Sequence, residues 1–280
     1  MQDKHLTLAY STCPNDTFIF HALAKRLVDM RGLAFQIELA DVEALNQAAV
    51  EGVYAVSKLS FAAIGHLQGR YRILDSGAAL GRGCGPLIVA RSDFDPRRLS
   101  DARIAVPGLW TTANLLLGLY AGRQLPVKAM IFDQIMPAIA DGTVDAGVII
   151  HEGRFTYPEY DLVCLQDLGQ WWETETGLPI PLGAIAVRDD MDLETAGKVT
   201  TIIRSSIEYA FANPNAANDY IHRHAEEMEP EVIQQHIELY VNPFSIELGE
   251  EGERAVAALF ARAIEKGILP GSNGPLFSTS

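Results

Sequence analysis

Gly77-Ala78-Ala79-Leu80-Gly81-Arg82-Gly83-Cys84-Gly85-Pro86 and Gly177-Leu178-Pro179-Ile180-Pro181-Leu182-Gly183 are the two stretches on which the fold turns. Each is a Gly/Pro-rich passage beside an apolar run of strand length, Pro86 to Ala90 in one case and Leu182 to Val187 in the other. Read as the two places where the chain crosses between domains, they predict a discontinuous α/β lobe from residues 1–88 with 185–280. Residues 89–184 then form a second α/β lobe inserted into the first, with a small-ligand cleft between the two. One continuous sheet is the competing architecture.

Working outward, short apolar runs followed by turns and amphipathic stretches recur through the first two-thirds of the chain. They predict strands over Leu6 to Tyr10, Phe35 to Leu39, Val53 to Val56, Arg103 to Val106, Ala129 to Phe132 and Ala146 to Ile150. From Asp192 onward the pattern becomes helical. Segments near Thr195 to Phe211, Ala216 to His224, Pro230 to Tyr240 and Gly252 to Lys266 are separated by Pro or Gly signals. Ser272 to Pro275 and the final Ser278-Thr279-Ser280 are expected to be loose.

At 280 residues with 48% apolar content, the chain has enough material for a large core and is long enough to divide it. The 22 Lys and Arg against 36 Asp and Glu give a net charge of -14, with no basic patch, which excludes a generic nucleic-acid surface. A small anionic ligand remains compatible with that charge, because helix N-termini and uncharged donors can hold it. No stretch reaches membrane-spanning length, so no membrane partner is expected, and Met1 to Tyr10 lack a leader-like pattern. The location expected on that ground is cytoplasmic. Cys13, Cys84 and Cys164 are odd in number and widely spaced, which argues against a disulfide framework and against a thiolate metal site.

Several polar groups stand where a strand hands over to a helix, the edge at which open α/β sheets bind ligands. Ser11-Thr12-Cys13-Pro14-Asn15-Asp16-Thr17-Phe18 follows the first strand, and Asn15, Asp16 or Thr17 is expected to cap the helix that begins there. Ser57-Lys58-Leu59-Ser60 repeats the arrangement, with Ser57 as a hydroxyl donor and Lys58 either adding charge or facing water. Thr111 and Thr112, before a Leu-rich helix, form an anion seat from hydroxyls and orphan N–H groups. His151 ends the apolar run from Ala146 to Ile150 and is a candidate proton-handling group. A His-Glu zinc motif fails there, since position 155 is Phe155, and Glu152 and Arg154 are expected to pair or to position a loop. Trp171-Trp172 either walls a pocket for a flat substrate or packs at the domain crossing. The glycine spacing of Gly81 to Pro86 is not the dinucleotide fingerprint.

These blocks, in this order and joined by Asp41-Val42-Glu43-Ala44-Leu45-Asn46, Ile150 to Tyr157 and Asp167-Leu168-Gly169-Gln170-Trp171-Trp172, resemble the 1,4-dihydroxy-6-naphthoate synthase family of the futalosine route to menaquinone. The resemblance covers nearly the whole chain. It implies a type II periplasmic-binding-protein-like fold turned to catalysis, and a carboxylated substrate, cyclic dehypoxanthinyl futalosine. It further implies a lyase without a cofactor, in which the family histidine maps onto His151 and Asn46 is a further substrate contact beside Ser57, Thr111 and Thr112. The chorismate-dehydrating family of the same route shares the architecture, and Thr156-Tyr157 and Trp171-Trp172 favour the naphthoate family over it. A non-catalytic protein that binds a small anion is the alternative from another class.

Overall fold

The computed structural model describes residues 3–225, 229–271 and 275–278. Its strands fall into two sheets. The first contains β1 (Lys4–Tyr10), β2 (Leu33–Leu39), β3 (Val56–Ser60), β4 (Tyr71–Ile73), β5 (Ala79–Gly81) and β11 (Ile180–Arg188), in the order β2-β1-β3-β11-β4 with β5 on β11. The second contains β6 (Leu87–Arg91), β7 (Ile104–Val106), β8 (Val127–Ala129), β9 (Ala146–Ile149) and β10 (Leu162–Asp167), in the order β10-β6-β9-β7-β8. A continuous sheet is therefore not formed. Both Gly/Pro passages lead from one sheet to the other, and the expected boundary residues, 88 and 185, lie inside β6 and β11.

Each sheet mixes directions. In the first, β1 runs parallel to β2 and β3 while β11 opposes β3, β4 and β5. In the second, β7 is parallel to β8 and β9 while β6 opposes β9 and β10. Each of the parallel strands is followed by a helix: α1 (Pro14–Ala24), α2 (Val42–Val50) and α3 (Phe61–His66) after β1, β2 and β3, then α4 (Thr112–Ala121) after β7, α5 (Phe132–Ala140) after β8 and α6 (Gly153–Thr156) after β9. Their carboxyl ends consequently become the loops available for a ligand.

Strand β10 leads into α7 (Leu168–Thr176), and the C-terminal part adds α8 (Leu193–Ala212), α9 (Asn218–His224), α10 (Pro230–Tyr240), α11 (Pro243–Ile246) and α12 (Gly249–Glu265). Helix α1 is buried from Pro14 to Leu23 because α8, α9 and α10 all pack on it, which explains why it shows almost no polar face. One core cluster joins Leu8, Phe20 and Ile185 to Ile203 and Ile207 of α8. A larger cluster runs from Leu59 and Phe61 through Leu116 and Trp172 to Leu259 of α12, tying the two sheets together.

Three expectations change here. The strand predicted over Ala129 to Phe132 lies earlier, at β8 (Val127–Ala129), and Phe132 begins α5. The strand predicted over Val53 to Val56 lies later, because Val56–Ser60 is the segment that pairs with both β1 and β11, and Ser57 to Ser60 are strand residues instead of a strand-to-helix turn. The terminal residues are in part held: the Ile73 N–H donates to the Leu276 carbonyl at 2.9 Å and the Ser278 N–H to the Ile73 carbonyl at 2.8 Å. Positions 272–274, 279 and 280, also expected to be loose, lie outside the described residues.

The close backbone crossing at Gly85 and Gly169 shows what the glycines of the first passage do. A Cβ on Gly85 would stand 2.2 Å from the Gly169 nitrogen, and one on Gly169 would stand 2.7 Å from the Gly85 nitrogen. Neither position has room for a side chain, so the start of β6 and the start of α7 meet main chain to main chain.

Candidate active site

A cavity opens between the two sheets, framed by the carboxyl ends of parallel strands from both. The first sheet presents Ser11 after β1, Asn15 and Asp16 in the first turn of α1, and Lys58, Leu59 and Ser60 of β3. The second presents Thr111, Thr112 and Ala113 at the start of α4, with Ile150 and His151 beyond β9. Leu182 and Gly183 of β11 and His236 and Tyr240 of α10 complete the wall. Val42, Leu59, Cys84, Pro86, Ala113, Ile150 and Leu182 make much of the lining apolar, suited to a flat carbon skeleton.

His151 is reached by a strained turn. Its φ is 54°, in the left-handed region that a residue with a Cβ seldom adopts, at a cost of roughly 1–3 kcal/mol. That turn delivers the ring into the cavity, against the edge of Phe132 at 5.1 Å, with Nδ1 3.3 Å from the Cys13 sulfur. Burial lowers the pKa of His151, with the positive side of His236 acting in the same direction and the charge of Glu152 opposing them. Burial, reinforced by Glu152 and Asp16, raises that of Cys13, so the pair is an unprotonated imidazole beside a thiol.

The first turn of α1 does not cap itself. Cys13 occupies the N-cap position without a side-chain cap bond, and Thr17 Oγ1 donates back to the Cys13 carbonyl at 3.0 Å. Asn15 and Asp16, expected as caps, instead face the cavity. Asp16 accepts from Lys58 Nζ at 2.9 Å, from Asn15 Nδ2 at 3.0 Å, and from the Ser11 hydroxyl at 2.7 Å. Both members of the Asp16–Lys58 pair are buried, at 1% and 8% exposure, so each depends on the other for its charge. Asn15 Oδ1 receives His236 Nε2 at 2.9 Å, and His236 Nδ1 stands 3.5 Å from Glu152 Oε2.

The residues expected from the sequence are placed unequally. His151, Thr111 and Thr112 line the cavity. The Thr hydroxyls, however, are already engaged: Thr111 Oγ1 donates to the Gly108 carbonyl and accepts from the Asn114 N–H as the cap of α4, and Thr112 Oγ1 donates to the Leu182 carbonyl at 2.6 Å and accepts from the Ala62 N–H. What they leave toward the cavity is the N–H edge of a helix start, at Thr112 and Ala113. Ser57 does not line the cavity. Its hydroxyl bonds the Lys58 carbonyl at 3.2 Å, while the cavity meets the carboxyl end of β3, where Ser60 is the hydroxyl that reaches the wall. Asn46 is fully buried behind Ser60, accepting from its N–H at 3.0 Å and donating to its hydroxyl at 3.1 Å, so it holds a lining residue in place.

Arg154 does not pair with Glu152; it reaches Asp167 and the Gly85 carbonyl, bracing the glycine crossing. Trp172 belongs to the core, with Nε1 donating to the Pro179 carbonyl at 3.0 Å, and Trp171 packs edge-on to Tyr120; neither lines the cavity. His236 was missed from the sequence. Its signal was present: it stands with Ile233, Ile237 and Tyr240 on the buried stripe of α10, where a polar ring needs a partner. Among the described residues no three His, Cys, Asp or Glu side chains gather to hold a metal, the three cysteines are free, and no helix is long and apolar enough to cross a membrane.

Two mixed sheets facing each other across a cavity, with helix starts and strand ends on both walls, define an α/β protein of the type II periplasmic-binding-protein kind. A family model described as "Menaquinone biosynthesis" matches residues 6–265, and the chain belongs to that family. It is 50% identical over 272 residues to a Thermus thermophilus 1,4-dihydroxy-6-naphtoate synthase, covering 97% of this chain and 98% of that one. A Streptomyces coelicolor protein of the same name is 43% identical over 276 residues, with 96% of each chain covered. Among solved structures, an Archaeoglobus fulgidus protein superposes with a TM-score of 0.89 at 36% identity, covering 95% of this chain and 98% of that one.

The expected cytoplasmic location is corrected by a further structural likeness. The periplasmic aliphatic sulphonate binding protein of Escherichia coli shares the fold, with a TM-score of 0.66 at 10% identity over 96% of this chain and 90% of that one. The fold is one that periplasmic proteins use, and the character of the first ten residues assigns no compartment.

Proposed function

We propose that the chain forms 1,4-dihydroxy-6-naphthoate from cyclic dehypoxanthinyl futalosine on the route to menaquinone, as a cofactor-independent lyase that begins by removing a carbon-bound proton. Family membership and the two relatives bearing that activity in their names support the reaction. The observation that carries the mechanism is the strained, half-buried His151, whose ring faces the cavity in its neutral form.

With a proton on Nδ1 directed at the Cys13 sulfur, Nε2 keeps its lone pair and accepts the substrate proton activated by a neighbouring carbonyl. The electron pair left behind expels the sugar-derived part, and aromatisation of the remaining ring drives the sequence. The N–H groups at the start of α4 receive the substrate carboxylate on one wall, with Thr111 and Thr112 shaping that seat through their existing hydrogen bonds. Ser60, held by Asn46, faces it from the other wall, and Ser57 contributes through the strand that carries Lys58 and Ser60. In this reading residues 1–88 with 185–280 and residues 89–184 are two lobes that close on the substrate and exclude bulk water.

Purified protein incubated with the cyclic substrate is expected to release the naphthoate, with chorismate run in parallel as the alternative substrate. Binding of the cyclic substrate without product, or turnover of chorismate in its place, would reject the assignment.

A further inference from the structure

We propose that Glu43 and Asn46, one turn apart on α2, form a clasp that holds loop 108–110 of the second sheet across the cleft, and that Glu43 is thereby a positioning residue for the anion seat at the start of α4. It rests on the reading above that this seat receives the substrate carboxylate.

Loop 108–110 lies between β7 and α4 and so belongs to the second sheet, whereas α2 and α3 follow strands of the first. Every part of Trp110 is nevertheless held from the first side. Its N–H donates to the Glu43 carboxylate, 3.3 Å from Oε1 and 3.2 Å from Oε2. Its carbonyl accepts from Asn46 Nδ2 at 3.4 Å, and its ring lies 4.9 Å from that of His66 on α3. The orientation of the Asn46 amide is fixed, because the Ser60 N–H donates to Oδ1 at 3.0 Å. That turns Nδ2 toward the Ser60 hydroxyl, Glu43 Oε2 and the Trp110 carbonyl together. One buried side chain thus joins a lining residue of the first wall to the loop that carries the second.

Glu43 is anchored in turn by Gln47, whose Nε2 donates to Oε1 at 3.0 Å from one turn further along α2. Gly108 makes the approach possible. A Cβ at that position would stand 2.4 Å from Glu43 Oε2 and 2.5 Å from its Cδ, so a side chain there would push the carboxylate off the loop. The seat begins at the next residue: Thr111 caps α4, its hydroxyl donating to the Gly108 carbonyl at 2.8 Å, and Thr111, Thr112 and Ala113 line the cavity. With the Trp110 N–H taken by Glu43, the N–H groups left for a ligand are those of Thr112 and Ala113, and the clasp sets their distance from Ser60 on the opposite wall.

The test compares E43A, E43Q, G108A and the double change E43A with G108A by hydrogen–deuterium exchange and thermal unfolding of the free protein, and by titration with the product naphthoate. Loop 108–113 is expected to exchange faster in E43A and in G108A than in the wild type. E43Q should restore protection, since its amide oxygen still accepts the Trp110 N–H and the exposed Gln47 can turn its own amide to accept from the new NH2. Loss of the acceptor for a part-buried N–H should raise the Kd for the naphthoate about tenfold in E43A. KM should rise with it while kcat changes little, as expected when binding of substrate and transition state is lost alike. In the melts the two changes should not add, because E43A vacates the space that the Cβ of G108A enters. Unchanged exchange of loop 108–113 in E43A, an E43Q that behaves like E43A, additive melts, or a Kd unmoved by a loosened loop would overturn the proposal. If the wild type itself binds no naphthoate, the assigned reaction fails, and exchange and melting still decide the clasp.

Discussion

Replacing Thr112 by Val tests how the two sheets are held to each other. The substitution keeps the branched shape and nearly the volume, and removes one hydroxyl. That hydroxyl sits on α4, which follows the second sheet, and bonds two backbone groups on the other side: the Leu182 carbonyl of β11 at 2.6 Å and the Ala62 N–H of α3 at 3.3 Å. Thr112 is only 3% exposed, so water cannot replace it without rearrangement. Leaving a buried donor or acceptor without its partner costs roughly 1–3 kcal/mol each, and the Ala62 contact is the longer and weaker one, so the two together come to about 2–4 kcal/mol. For a chain of this size about 2–4 °C of Tm accompanies each kcal/mol, which places the expected drop at roughly 4–16 °C. The assay is thermal unfolding of T112V beside T112S, in which the hydroxyl returns and most of the stability with it. A T112V melt within a degree of the wild type would refute the view that this hydroxyl ties the sheets together.

Other consequences follow from the same contacts. H151N should bind the product while losing about a hundredfold to ten-thousandfold in single-turnover rate, and near-normal turnover would remove His151 from the chemistry. The K58M change leaves the Asp16 carboxylate buried and uncompensated, a loss of about 3–5 kcal/mol; the double change K58M with D16N should recover part of it, and chemical denaturation of the set measures the coupling. Stability should fall with acid in two windows. His151 titrates below its usual 6.5 when folded, so the unfolded chain binds the proton first and stability declines as pH drops below about 6.5; Glu152, at about 2 against an ordinary 4.5, contributes stability above pH 4.5 that disappears between 4.5 and 2. Denaturation of E152Q across the lower window should show a flatter decline, and a decline as steep as that of the wild type would refute the Glu152 account.

The sequence by itself determined the elements whose signal is local. The apolar runs of β1, β6, β9 and β11, the helical tail from Leu193, and the Gly/Pro passages between sheets are set by periodicity and backbone permissiveness, which act over a few residues. His151 and the Thr111–Thr112 helix start were legible for the same reason, since the end of a strand or the start of a helix marks where backbone groups and side chains become available. Tertiary structure decided whatever depends on who faces whom. Ser57 and Ser60 look alike in the sequence, but pairing of β3 between β1 and β11 sends one hydroxyl to the cavity wall and leaves the other bonded to its own strand. Asp16 was legible as a helix cap and became the counter-ion of Lys58, 42 residues away, because burying both charges is tolerable only when they meet. His236 lies 85 positions from His151 and 221 from Asn15; its hydrogen bond to Asn15 and its approach to Glu152 exist only once α10 packs on α1 and beside the turn after β9.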